Sequence, residues 1–311
     1  MRWIKKGVIF NTDHNQDWMV SHACVPTVVK LNDERWRILF APRNERGQSI
    51  PTFIDVDAND PTKVVYVHNK PIMELGELGT FDDGGIMPCS TVLTDEGLYL
   101  YYVGWNPSGS VAYRNAIGLA VSHDKGETFK RMFPGAIVDR NRTEPFFTAS
   151  PYVMKEKDIW HMWYASSTGF VEINGKPEPL YVIKYADSQD GINWRRTNKT
   201  CIRPKDNFEA NARATVIKEN GTYRMWYAYR GSFDFRNGND SYRIGYAESK
   251  NAVDWVRMDN KSGIEFSKKG WDSKMQTYPA VIHNKNKKYL FYNGNGFGET
   301  GIGLAIYDEE Q

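Results

Sequence analysis

Short stretches in which apolar and polar side chains alternate recur along this chain at a nearly constant interval. The clearest of them are rich in aromatic residues and occur in five copies, at residues 36–40, 98–102, 160–164, 223–227 and 289–292. Alternation with a period of two is typical of half-buried β-strands, and aromatic side chains favour strands. The pattern therefore predicts an all-β protein built from five copies of one unit.

Each copy contains more than the aromatic strand. A first strand precedes it and opens, in chain order, at Pro26, Pro88, Pro151, Ala214 and Pro279, which are 62, 63, 63 and 65 residues apart. A third strand is recognisable in four copies, at 116–122, 181–186, 242–247 and 301–306. A fourth strand with an aromatic and a basic residue is recognisable in three, at 129–131, 194–196 and 255–257. Four short strands per repeat, at a fixed period, indicate a five-bladed β-propeller.

The two ends of the chain suggest how the ring closes. The fifth copy stops after its third strand, and the pattern of the missing fourth strand appears around Trp3. We expect this N-terminal strand to complete the last blade, because a closed ring leaves no open seam between its first and last blades. Residues 1–311 are then a single domain, although their number alone would suggest two.

Composition and charge exclude several classes of function. Forty basic and 38 acidic residues give a net charge of +2, so we expect neither nucleic acid nor a membrane as partner. No apolar run has the length of a signal peptide or a membrane span. The three cysteines show no CxxC spacing and the six histidines no metal-binding spacing. We therefore expect free thiols, no metal or other cofactor, and a cytoplasmic protein; the oligomeric state is not predictable.

Blade geometry predicts where the chemistry lies. In an up-and-down blade, the loop that leads into the first strand and the loop between the second and third strands lie at the same end, here called the mouth. Acidic residues precede every first strand: Asp17, Asp82, Asp83, Glu144, Glu209 and Asp272. We expect Asp82, Asp83, Glu144, Glu209 and Asp272 to be candidate catalytic carboxylates around one central funnel. The alternative is that some of these acids only cap turns.

Other residues expected at the mouth are candidates for substrate binding. They are His22, Arg43, Trp105, Arg213, Arg230, Tyr278, Asn293 and Asn295. Carboxylates and amides suit sugar hydroxyls, and a flat aromatic ring suits the apolar face of a sugar. Arginines suggest an anionic group as well, because the guanidinium fork matches carboxylate or phosphate. The alternative for each arginine is an ion pair with a neighbouring acid.

Two further motifs have a structural interpretation. Residues 122–129 resemble the Asp-box of sialidases, and residues 188–194 are a shortened relative. Both fall on turns between third and fourth strands, away from the mouth, where Asp and Gly satisfy local backbone groups.

The five-copy pattern, motifs such as Met-Trp-Tyr-Ala at 162–165, and an acid at each blade mouth resemble the five-bladed glycosidase propellers. These are glycoside hydrolase families 43, 62, 32, 68 and 130 and their relatives. The resemblance implies activity on glycosides or glycosyl donors, with polysaccharide biosynthesis as one setting. It implies that Glu144 matches the third-blade general acid of families 43 and 32, and that Asp82 and Asp83 match an orienting acid by position.

One departure from those families keeps two functions open. Families 43 and 32 have an Asp beside a Pro in the first blade, whereas this chain has Val25 before Pro26. The usual nucleophile or base is therefore not carried over. The first hypothesis is an enzyme that cleaves or transfers a glycosyl unit by carboxylate acid/base catalysis. The second is a catalytically silent propeller that binds a sugar or a partner. A sialidase-like function is a third and more distant hypothesis, because sialidases have six blades.

Overall fold

The computed structural model describes residues 2–12, 16–236 and 238–308. Its strands form five antiparallel sheets of four strands each, arranged as blades around one axis. The predicted five-bladed β-propeller is confirmed.

The blades follow one another along the chain. Blade I comprises β2 (Ser21–Lys30), β3 (Arg35–Arg43), β4 (Thr52–Asp57) and β5 (Val64–Val67), and follows β1 (Ile4–Phe10). Blade II comprises β6 (Gly85–Thr94), β7 (Gly97–Pro107), β8 (Tyr113–Ser122) and β9 (Lys130–Arg131). Blade III comprises β10 (Thr148–Glu156), β11 (Ile159–Ile173), β12 (Lys176–Ser188) and β13 (Arg195–Ile202). Blade IV comprises β14 (Ala210–Glu219), β15 (Thr222–Arg230), β16 (Arg243–Ser249) and β17 (Trp255–Arg257).

Blade V contains β18 (Thr277–Asn284), β19 (Lys287–Asn293) and β20 (Ile302–Asp308), and β1 is its fourth strand. Ile4 lies opposite Ile306 and Phe10 opposite Ile302, so the predicted closure by the N-terminal strand is confirmed. Trp3 itself precedes the strand, is buried, and donates its indole N–H to the carbonyl of Ser262 at 2.9 Å. A 3-10 turn at Asp259–Lys261 and a short helix, α1 (Asn295–Gly298), are the two helical segments in the described residues.

Apolar side chains fill the gaps between neighbouring blades. Five buried clusters each join two adjacent sheets; in the one between blades V and I, Trp36 meets Tyr289 edge-to-face with ring centroids 4.9 Å apart. A sixth cluster, which includes Cys24 and Cys89, draws on the first strands of blades I to V. Among the described residues, no helix is long and apolar enough to cross a membrane.

The first strand of every blade contains a β-bulge close to its expected opening. In four blades the bulge holds a residue other than glycine with a positive φ: Val25 (58°), Ser150 (47°), Arg213 (50°) and Tyr278 (52°). A bulge of this kind changes the direction of a side chain, and the positive φ strains the backbone. The strands also begin two to five residues before the expected openings, because pairing continues on the mouth side of the bulge.

Candidate functional site

The carboxylate of Glu144 is held in a closed network within its own blade. It is buried and accepts hydrogen bonds from Tyr164 at 2.9 and 3.1 Å and from Ser166 at 3.2 Å. Arg196 pairs with it at 2.6 Å and Lys184 at 3.1 Å. Burial alone would raise the pKa of Glu144, but Arg196, Tyr164 and Lys184 outweigh it and lower the pKa. A general acid at neutral pH needs a raised pKa, so this environment does not suit the role that the resemblance implies for Glu144.

The same arrangement recurs in three other blades, where an acid before the first strand pairs with a base on the fourth. Asp82 accepts from Tyr102 at 3.1 Å and Arg131 at 2.8 Å, and Asp272 accepts from Tyr292 at 2.9 Å and Lys5 at 2.6 Å. In blade IV, Arg257 binds both Glu209 and Asp259, and Tyr227 donates to Asp259. We call each of these networks a latch, since it ties the mouth loop to the second and fourth strands.

The latches give the periodic acids a structural explanation. Each of these acids takes its ion-pair partner from its own blade. Among the described residues, no hydrogen bond or ion pair joins Asp82, Glu144, Glu209 and Asp272 to one another. Blade I departs from the pattern: Phe40 occupies the place of the tyrosine, and Asp17 is exposed. The catalytic roles expected for the four latched acids remain predictions, and their closed networks argue against them.

Four of the expected substrate-binding residues are occupied by contacts within the fold. Arg213 is buried across the axis, where it donates to the carbonyls of Cys89 and Pro26. Arg230 donates to the carbonyl of Pro179 at 2.7 Å and to the hydroxyls of Tyr181 and Tyr242. Both expectations of a free guanidinium are therefore revised.

The side chains of Asn293 and Asn295 are likewise occupied by contacts within the fold. The amide of Asn293 donates to the carbonyls of Ala23 and Gly301 at 2.8 Å and accepts from the backbone N–H of Val25 at 2.9 Å. The side chain of Asn295 caps the backbone of 274–275 and donates to the carbonyl of Gly270. Neither amide is free to bind a sugar in this arrangement.

The remaining candidates meet at the mouth between blades I and II. Arg43 forms a β-bridge with Ser49, and Ser49 forms a second bridge with Gly85. Paired residues of adjacent strands lie about 5 Å apart at their Cα atoms, so these bridges bring Arg43 close to the chain that follows Asp83. Ser21 pairs with Arg43 in blade I, which places His22 beside the same arginine. We call Asp83, Trp105, Arg43, His22 and Tyr278 the mouth cluster.

The ring of Trp105 is positioned by Gly84, Gly85 and Ser49. A Cβ atom on Gly85 would lie 2.2 Å from the indole nitrogen of Trp105, so the ring packs directly on the backbone and leaves no room for a side chain there. Its N–H donates to the hydroxyl of Ser49 at 3.3 Å. The ring is half-buried, which leaves part of it available to a ligand.

Asp83 differs from the latched acids. Its Oδ2 accepts the backbone N–H of Gly79 at 2.7 Å, whereas its Oδ1 is buried without a hydrogen-bond partner. Among the described residues, no lysine, arginine or histidine pairs with it. Asp83 is half-buried at the mouth of blade II, two residues from the glycine that supports Trp105.

Tyrosines from four blades complete the centre of the mouth. Tyr181 and Tyr242 share a hydrogen bond between their hydroxyls, and burial raises the pKa of Tyr242, Tyr113 and Tyr278. These three phenols are neutral at pH 7 and serve as hydrogen-bonding groups. Beside them Glu178 binds Arg236 through two hydrogen bonds of 2.5 and 2.9 Å.

A large groove lies elsewhere, between blades IV and V. It has a volume of about 1490 Å³, and its lining includes Trp3, Tyr229, Arg243, Phe266 and Gln276. Asp259 in this groove belongs to the latch of blade IV, and Arg243 lies 4.9 Å over the ring of Phe266. Some of its polar side chains are therefore already paired within the fold. No group of three His, Cys, Asp or Glu side chains suited to a metal ion occurs among the described residues.

Comparison with known proteins places the chain in a family. It is 34% identical over 309 residues to the Mycobacterium tuberculosis protein Rv1502, described as uncharacterized, and the match covers 99% of this chain and 100% of the relative. The chain belongs to the Rv1502 family. A second M. tuberculosis relative, MT1551, matches to the same extent. No family model matches the chain.

A more distant relative covers half of this Rv1502-family chain. It is the 1,2-beta-oligomannan phosphorylase of a Thermoanaerobacter species, 29% identical over 159 residues, which are 50% of this chain and 48% of the relative.

Solved structures similar to this Rv1502-family protein share its fold. One represents the GH130 family of mannoside phosphorylases, described as containing glycoside hydrolases that target β-1,2 mannosidic linkages in Candida mannan. It superposes with a TM-score of 0.69 at 15% identity over 99% of this chain and 95% of that one. Another, a thermostable family-43 glycoside hydrolase, has a TM-score of 0.66 at 15% identity over 94% and 91%. At these identities the likeness shows the five-bladed fold alone.

Sequence reasoning missed the partners of the acids. The basic residues Arg131, Arg196 and Arg257 recur on the fourth strands with the same period as the acids before the first strands, so the pairing was readable from the repeat. The β-bridges through Ser49, and the link between Glu178 and Arg236, have no periodic signal and required the folded structure.

Proposed function

We propose that this protein is a carbohydrate-active enzyme that cleaves or transfers a glycosyl unit at the mouth cluster, with Asp83 as proton donor. One observation carries the proposal: of the five expected catalytic acids, Asp83 alone lies outside a latch and has no cationic partner among the described residues. It also lies beside Trp105, whose half-buried ring suits the apolar face of a sugar.

The proposed chemistry needs one carboxylic acid and a nucleophile from solution. The sugar ring rests against the indole of Trp105, and Asp83 donates a proton to the glycosidic oxygen as the bond from that oxygen to the anomeric carbon breaks. Water or inorganic phosphate attacks the anomeric carbon, and the released alcohol keeps the donated proton. Attacking water passes its own proton to the Asp83 carboxylate or to solvent, and after attack by phosphate Asp83 regains its proton from solvent. Phosphate is itself a nucleophile and needs no carboxylate base, which suits a mouth without the usual first-blade Asp.

The comparisons support this class of function without fixing the substrate. The fold neighbours are glycosidases, and the Thermoanaerobacter relative, which covers half of the chain, is an oligomannan phosphorylase. The proposal replaces Glu144 by Asp83 as the acid, since the latch lowers the pKa of Glu144.

A turnover assay with two variants tests the proposal. Natural oligosaccharides and aryl glycosides are incubated with the protein, with and without phosphate, and the released sugar and sugar 1-phosphate are measured. Asp83→Asn keeps an oxygen for the N–H of Gly79 and should lower turnover about 10²–10⁴-fold on substrates with poor leaving groups. Activated aryl glycosides should lose far less. Asp95→Asn, on an exposed turn at the opposite end, is the matched control and should change nothing.

A silent sugar-binding propeller is the second candidate, favoured by Val25 at the position of the first-blade Asp. It predicts sugar binding at the mouth cluster but no turnover of any glycoside, with or without phosphate. Turnover that Asp83→Asn leaves intact would contradict the silent propeller and would also contradict the assignment of Asp83 as the acid.

A further inference from the structure

Arg43 is a half-buried cation without a counter-ion in the described part of the chain. Other arginines of the blades have protein partners: Arg37 pairs with Asp55 at 2.9 Å, and the latch arginines pair with their acids. Arg213 and Arg230 donate to carbonyl and hydroxyl oxygens instead. No side chain among the described residues accepts a hydrogen bond from the guanidinium of Arg43. A partly desolvated charge is costly unless it is paired, so this position favours an anion from outside the chain.

The neighbours of Arg43 do not supply negative charge. Burial and the positive charge of Arg43 lower the pKa of His22 to about 4, so its imidazole is neutral at pH 7. Burial raises the pKa of the Cys24 thiol to about 11 and also raises that of Tyr278, so both are protonated. Three titratable groups around one guanidinium are thus uncharged at neutral pH.

The backbone at this place is strained in a way that the fold does not require. His22 has a φ of 63° and lies three residues before the recurring bulge position at Val25, and no other first strand has a positive φ at the matching place. Strain of this kind in a residue other than glycine is concentrated at functional sites. Here it sets the imidazole beside Arg43, where Nδ1 meets the hydroxyl of Ser21 at 2.8 Å.

We propose that the sugar bound at the mouth cluster is anionic, and that Arg43 receives its carboxylate or phosphate group. The inference rests on the proposed function for the sugar ring itself. The bridges of Ser49 bring the backbone of Arg43 close to Gly85, on which the Trp105 ring packs. In this proposal one ligand spans the indole and the guanidinium. A planar fork binds carboxylate and phosphate oxygens in pairs, which gives geometry as well as charge.

Calorimetric titration of the full chain with matched sugars tests the proposal. The probes are glucose, galactose and mannose, their 6-carboxylates, their 6-phosphates, and inorganic phosphate alone. We expect at least one acidic sugar to bind about 10–100-fold more tightly than its neutral form, the usual worth of a charge-assisted pair. Arg43→Gln should abolish that preference, so that the acidic sugar binds no more tightly than its neutral form. Arg46→Gln, on the exposed loop nearby, is the control.

The outcomes separate this inference from the proposed function. Equal binding of neutral and acidic sugars by the native protein overturns the anionic group while the sugar site stands, and that comparison needs no variant to fold. Binding of inorganic phosphate without any preference among the sugars also overturns it, and assigns Arg43 to a free anion. No binding of any sugar overturns both proposals. Arg43→Lys keeps the charge without the fork and should retain only part of the preference.

Discussion

Breaking one latch should cost far more stability than breaking a surface ion pair on the same strand. In blade III, Arg196 and Arg195 are adjacent on β13 and each binds an acid. The side chains of Glu144 and Arg196 are 2% and 18% exposed, whereas Arg195 and its partner Asp187 are 78% and 20% exposed. The first pair is shielded from solvent and the second is screened by it.

The expected magnitudes follow from that difference. Removing one member of a buried pair costs about 3–5 kcal/mol, because the other charge stays buried without a partner. Glu144→Gln keeps an acceptor for Tyr164 and Ser166, so we expect a loss of about 2–4 kcal/mol in the free energy of unfolding. Asp187→Asn, the matched control, should cost below about 1 kcal/mol.

Equilibrium denaturation in urea at pH 7 measures both variants, with the slope m checked for constancy. The contribution of Glu144 should depend on pH with a definite sign. Its pKa in the folded protein lies below its ordinary value of 4.5, so the latch contributes fully above that pH and loses its effect as the pH falls through the folded pKa. Equal losses for Glu144→Gln and Asp187→Asn, or a loss that does not shrink as the pH is lowered below 4.5, would refute the latch.

Three further predictions address closure, stacking and charge. Deleting residues 2–10 removes β1 from blade V and should abolish cooperative unfolding, since β20 becomes an open edge; a deletion variant as stable as the full chain would contradict the closure. Trp105→Ala should weaken sugar binding about tenfold or more while Trp105→Phe retains most of it, and equal effects would exclude stacking. By NMR titration His22 should have a pKa of about 4, and Arg43→Gln should raise that pKa. In the unfolded chain the imidazole takes up its proton near pH 6.5. Protonation therefore favours the unfolded chain, and His22 should lower the free energy of unfolding as the pH falls from 6.5 to 4.

The fold was readable from the sequence because its signal repeats. Aromatic strands at a period of about 63 residues, and the fourth-strand pattern at Trp3, specify five blades and their closure without reference to contacts. The third and fourth strands of blade I were not recognised, since β4 and β5 lack the aromatic and basic pattern of the other blades.

The candidate site could be predicted from the sequence only in part, because residues in the same sequence pattern make different contacts in the folded chain. Asp82 and Asp83 are adjacent, yet the first is latched to Arg131 and the second keeps a free oxygen. Both lie in the turn before β6, and the sequence of a turn does not say which of two adjacent acids faces a base. Arg230 and Arg43 likewise each end the second strand of their blade. Arg230 is held by the carbonyl of Pro179 and two tyrosine hydroxyls, whereas Arg43 has no side-chain partner among the described residues.

The position of a bound sugar distinguishes the mouth cluster from the groove between blades IV and V. Crystals soaked with the tightest-binding sugar from the titrations would show which part of the mouth is used. The account predicts a sugar ring against the indole of Trp105, with a carboxyl oxygen of Asp83 within about 3.2 Å of a glycosidic or hydroxyl oxygen. A sugar bound in the groove between blades IV and V, with the mouth cluster empty, would contradict it.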